Sequence, residues 1–132
     1  MQATPYLFFN GDCRAALTFW AEVFRTPPPQ IMTFGDTVPG ADPEGVMHGA
    51  LNLGSGWIYA SDDLEETAVA MAGASLHVSV GSVEEAQRVF AALSEGGEVR
   101  MPLEETFWDP AFGTCTDRFG VRWMISGAAV AG

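Results

Sequence analysis

The chain has 132 residues, 48% of them hydrophobic, which is enough for one compact domain with a real core and short for two ordinary ones. Six Lys and Arg stand against 17 Asp and Glu, a net charge of -11, so the field of the molecule repels phosphate backbones and anionic membrane surfaces and excludes nucleic acid as an expected partner. No apolar run nears the roughly 20 residues of a bilayer-spanning helix; Cys13 and Cys115 lack metal-ligand spacing, no basic-plus-apolar leader precedes the first strand, and a reduced, cytoplasmic setting is expected.

Tyr6-Leu7-Phe8-Phe9, between Pro5 and Asn10-Gly11, reads as a buried strand ending in a turn. Asp12 is a candidate cap for a helix over Cys13 to Phe24, in which Ala16, Phe19, Trp20, Val23 and Phe24 form one apolar stripe. Pro27-Pro28-Pro29 stops it, since proline has no amide hydrogen and keeps the preceding residue out of the helical region. Gln30 to Phe34 predicts a second strand, and Gly35 to Gly45, rich in Gly, Pro and Asp, a mobile loop and candidate lid. Val46 to Leu53 and Trp57 to Ala60 predict two more strands joined by a Gly54-Ser55-Gly56 turn.

A polar, then alanine-rich stretch follows, with a short helix expected around Leu64 to Met71. Beyond it the grammar repeats. Leu76-His77-Val78-Ser79-Val80 alternates, placing Leu76, Val78 and Val80 on one face and Ser75, His77 and Ser79 on the other. Ser82-Val83-Glu84-Glu85 is a capping box, and Val83, Ala86, Val89, Phe90 and Leu93 carry the apolar face of a helix ending at Gly96-Gly97. Glu98 to Leu103, the neighbourhood of Cys115, and Val121 to Ser126 complete three strands, with Asp117-Arg118-Phe119-Gly120 as a hairpin turn. The segment Glu105 to Ile125 concentrates Phe107, Trp108, Phe112, Phe119 and Trp123 among turn residues. Ala16, Phe19 and Trp20 match Ala86, Val89 and Phe90 at one constant offset, so the chain is a degenerate repeat. Neither half carries enough apolar face to bury alone, which predicts an α+β fold of paired βαβββ modules whose curved sheets enclose a cleft.

The segments PYLFFNGDCRAALTFW (Pro5 to Trp20), MHGAL (Met47 to Leu51), ASD (Ala60 to Asp62), MPLEETFW (Met101 to Trp108) and FGTCTDRFGVRWM (Phe112 to Met124) together resemble the PhnB-like family of the vicinal oxygen chelate (glyoxalase/bleomycin-resistance/dioxygenase) superfamily. The resemblance implies one glyoxalase-like domain over 1–132, with module one at about 1–62, a linker at about 63–73 and module two at about 74–132. It also implies a homodimer. The superfamily's chemistry usually rests on a divalent metal held by His, His or Gln, and Glu, with open positions that make it a Lewis acid. Carried onto this chain, those positions fall near Pro5, Ala60, Ser75 and Met124, none a good ligand, so no metal and no cofactor is expected there. The label demethylubiquinone methyltransferase attaches to relatives of this kind, yet no Gly-rich loop for an S-adenosylmethionine site is written between a strand and a helix.

The expected function is a small-molecule-binding cleft. His77 is the candidate for metal-free proton transfer, because an imidazole titrates near neutrality; the bland reading is a half-buried histidine hydrogen-bonded to a neighbour. His48, Trp57, Tyr59, Trp108, Cys115 and Trp123 are the candidate ligand contacts for an apolar or aromatic molecule, although most such aromatics are core and a free cysteine is usually a small buried hydrophobe. Glu105 and Asp109 flank Trp108 as candidate cleft carboxylates or, more plainly, solvated turn residues. One alternative is a divalent-metal-dependent lyase, isomerase or dioxygenase-type enzyme with rearranged ligands including His48 and His77. Another is a ligand-free structural or interaction module.

Overall fold

The computed structural model describes residues 1–63 and 70–128, and the chain divides into two compact units, 1–69 and 70–132. The helix expected around Leu64 to Met71 lies mostly outside the described residues; Ala70 and Met71 are not helical.

The first unit runs β1 (Tyr6–Phe9), α1 (Cys13–Phe24), β2 (Gln30–Thr33), β3 (Val46–Asn52) and β4 (Trp57–Asp62), with sheet order β1-β4-β3-β2 and β1 parallel to β4. Helix α1 covers one face of this sheet with Ala16, Leu17, Trp20 and Val23 fully or almost fully buried. The apolar stripe is therefore rotated from its sequence reading: Leu17 takes the central place, while Phe19 and Phe24 are half-buried at its margin. Gly49 of β3 lets the helix approach, since a Cβ there would stand 2.4 Å from Leu17 Cδ1. The expected cap is also relocated. Asp12 makes no side-chain capping bond; instead Asp62, at the end of β4, accepts from the amides of Gly11 (2.8 Å) and Cys13 (3.1 Å), and its second oxygen accepts from Val46 (3.0 Å). One carboxylate thus ties the start of α1 to the start of β3. Arg25, in the left-handed conformation (φ 55°), ends the helix before the prolines are reached.

The second unit repeats the order as β5 (Leu76–Ser79), α2 (Val83–Ser94), β6 (Glu98–Glu104), β7 (Phe112–Thr116) and β8 (Arg122–Ser126), with sheet order β5-β8-β7-β6 and β5 parallel to β8. Here the cap is local, as the capping box predicts: Ser82 accepts from the Glu85 amide at 3.1 Å. Ala86, Val89, Phe90 and Leu93 bury against the sheet. Gly113 of β7 matches Gly49 in role, because a Cβ there would stand 2.9 Å from Phe90 Cε2 and 2.8 Å from the Leu103 backbone. β6 is an almost wholly exposed edge with two bulges, which accommodates Pro102. These two four-stranded sheets with one helix each are the α+β architecture expected from the repeat.

Candidate functional site

Strand alternation sorts each sheet into a helix-facing and an outer face. In the first unit Gly49 looks at α1, so Leu51, Ile58 and Ala60 share its face, while His48, Ala50, Trp57 and Tyr59 point the other way. β1 adds Tyr6, in register with Tyr59, and Phe8 to that outer face. Rings gather there: His48 and Tyr59 lie 5.0 Å apart at their centroids, Tyr6 and Phe8 5.1 Å, and Trp57 and Tyr59 6.4 Å. The Tyr6 hydroxyl and His48 Nδ1 are hydrogen-bonded at 3.2 Å. A groove of about 370 Å³ opens between this cluster and β2, lined by Gln30, Ile31, Met32, His48, Ala50, Trp57 and Tyr59.

Three of the expected contacts, His48, Trp57 and Tyr59, are thus brought together, and the sequence reading missed their partners Tyr6, Phe8, Gln30 and Met32. Tyr6-Leu7-Phe8-Phe9 was expected to be buried throughout, yet Phe8 is 63% exposed. The period of two in β1 is the signal that finds it, because Phe9, not Phe8, packs on Trp20 (5.9 Å) beneath the helix.

The remaining candidates belong to the second unit. Cys115 and Trp123 are fully buried on the helix-facing side with Gly113 and Ile125, opposite one another in the β7–β8 register, and serve as core. Burial pushes the Cys115 thiol pKa up, against the opposing effect of the Ser94 hydroxyl. Trp123 donates its indole Nε1–H to Asp117 at 2.9 Å. Asp117 also accepts from the Phe119 and Val121 amides, which makes the expected hairpin turn a carboxylate-centred one. Trp108 is 55% exposed in the β6–β7 loop, edge-on to Phe107 (4.7 Å) and Phe112 (5.6 Å). Asp109 is neither a solvated turn group nor a free carboxylate: only 6% exposed, it accepts from Ala111 and Gly127 amides and from the Ser126 hydroxyl. Glu105 is exposed. His77 is exposed on the outer face of the second sheet, in register with Met124.

The register also places the residues to which the resemblance assigns the superfamily metal positions. Ala60 faces α1 and Pro5 spends its carbonyl on the Tyr59 amide. The outer-face partners across the two parallel strand pairs are Tyr6 with Tyr59 and His77 with Met124. Among the described residues no group of three His, Cys, Asp or Glu side chains converges on one point. The Gly35 to Gly45 loop is tied at its neck by Phe34 N–H to Gly45 carbonyl and Gly35 N–H to Pro43 carbonyl bonds, both 3.0 Å.

A helix-backed sheet repeated twice, with β1∥β4 and β5∥β8 closing each repeat, is the fold of the glyoxalase/bleomycin-resistance proteins. The chain shares that fold and belongs to the PhnB-like family: residues 1–126 match the family model described as 3-demethylubiquinone-9 3-methyltransferase. It is 30% identical to Protein YjdN of Escherichia coli K12, over 96% of this chain and 95% of YjdN. Among solved structures it is similar to protein PA1353 from Pseudomonas aeruginosa, at 41% identity and TM-score 0.87 over 96% of each chain. A PhnB protein from Bacillus cereus shares the fold at 24% identity and TM-score 0.80, over 96% of this chain and 98% of that one.

Proposed function

We propose that the protein binds a small apolar or aromatic molecule on the outer face of its first sheet. The observation that carries this reading is the groove beside His48, Trp57 and Tyr59. Its volume of about 370 Å³ falls in the range of small-molecule sites. Its walls pair flat π faces with a few polar groups, the Gln30 amide and the His48 imidazole, which is how a site fixes the orientation of a planar ligand. Fused aromatics such as quinoline and 2-naphthol serve as probes in calorimetric titration. Saturable binding that weakens about tenfold or more in Trp57→Ala is expected, on the scale of base-on-aromatic stacking; equal affinity in the two proteins would remove the groove from the function.

His77, exposed on the outer face of the second sheet, is separately proposed as a proton-transfer group. Undiminished turnover of a substrate by His77→Ala would remove it from that role. The protein is further proposed to act as a cytoplasmic homodimer, and a light-scattering mass at the 14.1 kDa of one chain would sink the dimer.

A further inference from the structure

We propose that the outer face of the second sheet binds an anionic group, a carboxylate or phosphonate, through Arg122. Along β8, Trp123 and Ile125 turn into the core, which puts Arg122 and Met124 on the opposite face. The register sets Thr116 directly across from Arg122, Thr114 across from Met124, and His77 on the other side of Met124. The Thr116 hydroxyl is therefore the immediate cross-strand neighbour of Arg122, roughly 5 Å from one strand to the next, while Thr114, which is buried, and His77 stand two residues along the strand, beside Met124.

Arg122 Nε is shielded from solvent and has no hydrogen-bond partner among the described residues. A buried unpaired donor of this kind costs free energy that a ligand acceptor would recover. Three of the five other arginines are engaged: Arg88 pairs with Glu85, Arg14 donates to the Glu44 carbonyl, and Arg118 lies 5.3 Å over the Phe119 ring. The nearest carboxylate by register is Glu98, which stands beyond Thr116 on the exposed edge β6 and forms no ion pair with Arg122. In a chain of net charge -11, a guanidinium with no carboxylate partner among the described residues, beside the Thr116 hydroxyl, is where an incoming anion finds complementary charge. Arginine's planar fork suits both carboxylate and phosphonate oxygens.

The test titrates benzoate, phenylphosphonate and neutral benzamide into wild-type protein, Arg122→Gln and Arg122→Lys at fixed ionic strength, with circular dichroism confirming the fold. Saturable binding of one or both anions over benzamide is expected, falling about tenfold in Arg122→Gln. The benzoate and phenylphosphonate arms decide between the two anion classes. Arg122→Lys, which keeps the charge and loses the fork, should fall between the two and decides the matter if Arg122→Gln does not fold. Unchanged anion affinity in a folded variant, or benzamide binding as tightly as the anions, overturns the assignment.

Discussion

The hydroxyl of Tyr6 and Nδ1 of His48 meet at 3.2 Å across two strand boundaries, with the ring of Tyr59 packed against both. This bond fixes the plane of the imidazole beside the groove. Tyr6→Phe keeps the ring and removes the bond. Affinity for a hydrogen-bonding heteroaromatic such as quinoline should fall by the value of one hydrogen bond, about 0.5–1.5 kcal/mol, while unfolding in urea changes little because Tyr6 is partly exposed. Titration showing no loss would separate the pair from binding.

Asp62 is asked to hold three backbone amides at once, from Gly11, Cys13 and Val46, and is itself 8% exposed. Asp62→Ala leaves those donors without a partner, and a destabilisation of about 3 kcal/mol is expected in urea unfolding. Asp12→Ala, by contrast, should change stability by less than about 0.5 kcal/mol, since the side chain caps nothing.

Much of this fold was legible as periodicity. The two helices, the order of elements along the chain and the Ser82 cap are local patterns, and the boundaries Cys13 to Phe24 follow from them. The α1 cap was not legible, because its acceptor comes from a strand 49 residues away in the chain. Cys115 and Trp123 went to the core for a related reason: which face of β7 and β8 meets α2 depends on Gly113 admitting Phe90, a contact no local pattern announces. The same parity, once known, exposes Arg122. Aromatic-rich strands such as Tyr6 to Phe9 hide their parity because both faces carry large rings.

Acid stability should depend on Asp109. Burial alone would raise its pKa, but the Ser126 hydroxyl and the amides of Ala111 and Gly127 outweigh it, and the net shift is downward from 3.8. A carboxyl with a depressed folded-state pKa stabilises the fold above its ordinary range, and the contribution disappears as pH falls through the folded value. Thermal melts below about pH 4 should therefore decline more steeply for wild type than for Asp109→Asn, whose melting temperature starts lower at neutral pH. Parallel acid limbs would contradict this role.

At the alkaline end the buried thiol of Cys13 is the relevant group. Burial first, then the Asp62 carboxylate, push its pKa up to about 12, with Arg14 opposing. A raised folded-state pKa means that stability is complete below the unfolded value near 9.0 and erodes as pH climbs toward 12. Cys13→Ala should lessen that erosion. Native protein at pH 8 should also resist a thiol reagent at both Cys13 and Cys115 until urea unfolds it. Rapid labelling of either under native conditions would show that the helix-facing cores open.

The two helix-facing glycines should differ in tolerance. Gly49→Ala meets the end of the Leu17 side chain, whereas Gly113→Ala meets the Leu103 backbone at 2.8 Å, which cannot rotate away. Costs of about 1 kcal/mol and about 3 kcal/mol respectively are expected from denaturant midpoints, given the usual penalty of overpacking. Equal costs would mean that β6 yields as readily as a side chain.

The two ways of starting a helix also give the repeat a built-in order in time. α2 receives its start signal from Ser82, one residue before its first turn, so it has what it needs as soon as it is made. α1 must wait for Asp62, which leaves the ribosome only after the whole first sheet has been synthesised. Closing so long a loop carries an entropic cost that a local cap avoids. The half of the molecule that is translated first is therefore the half whose helix depends on distant chain, and it holds Leu17 and Trp20 uncovered for longest.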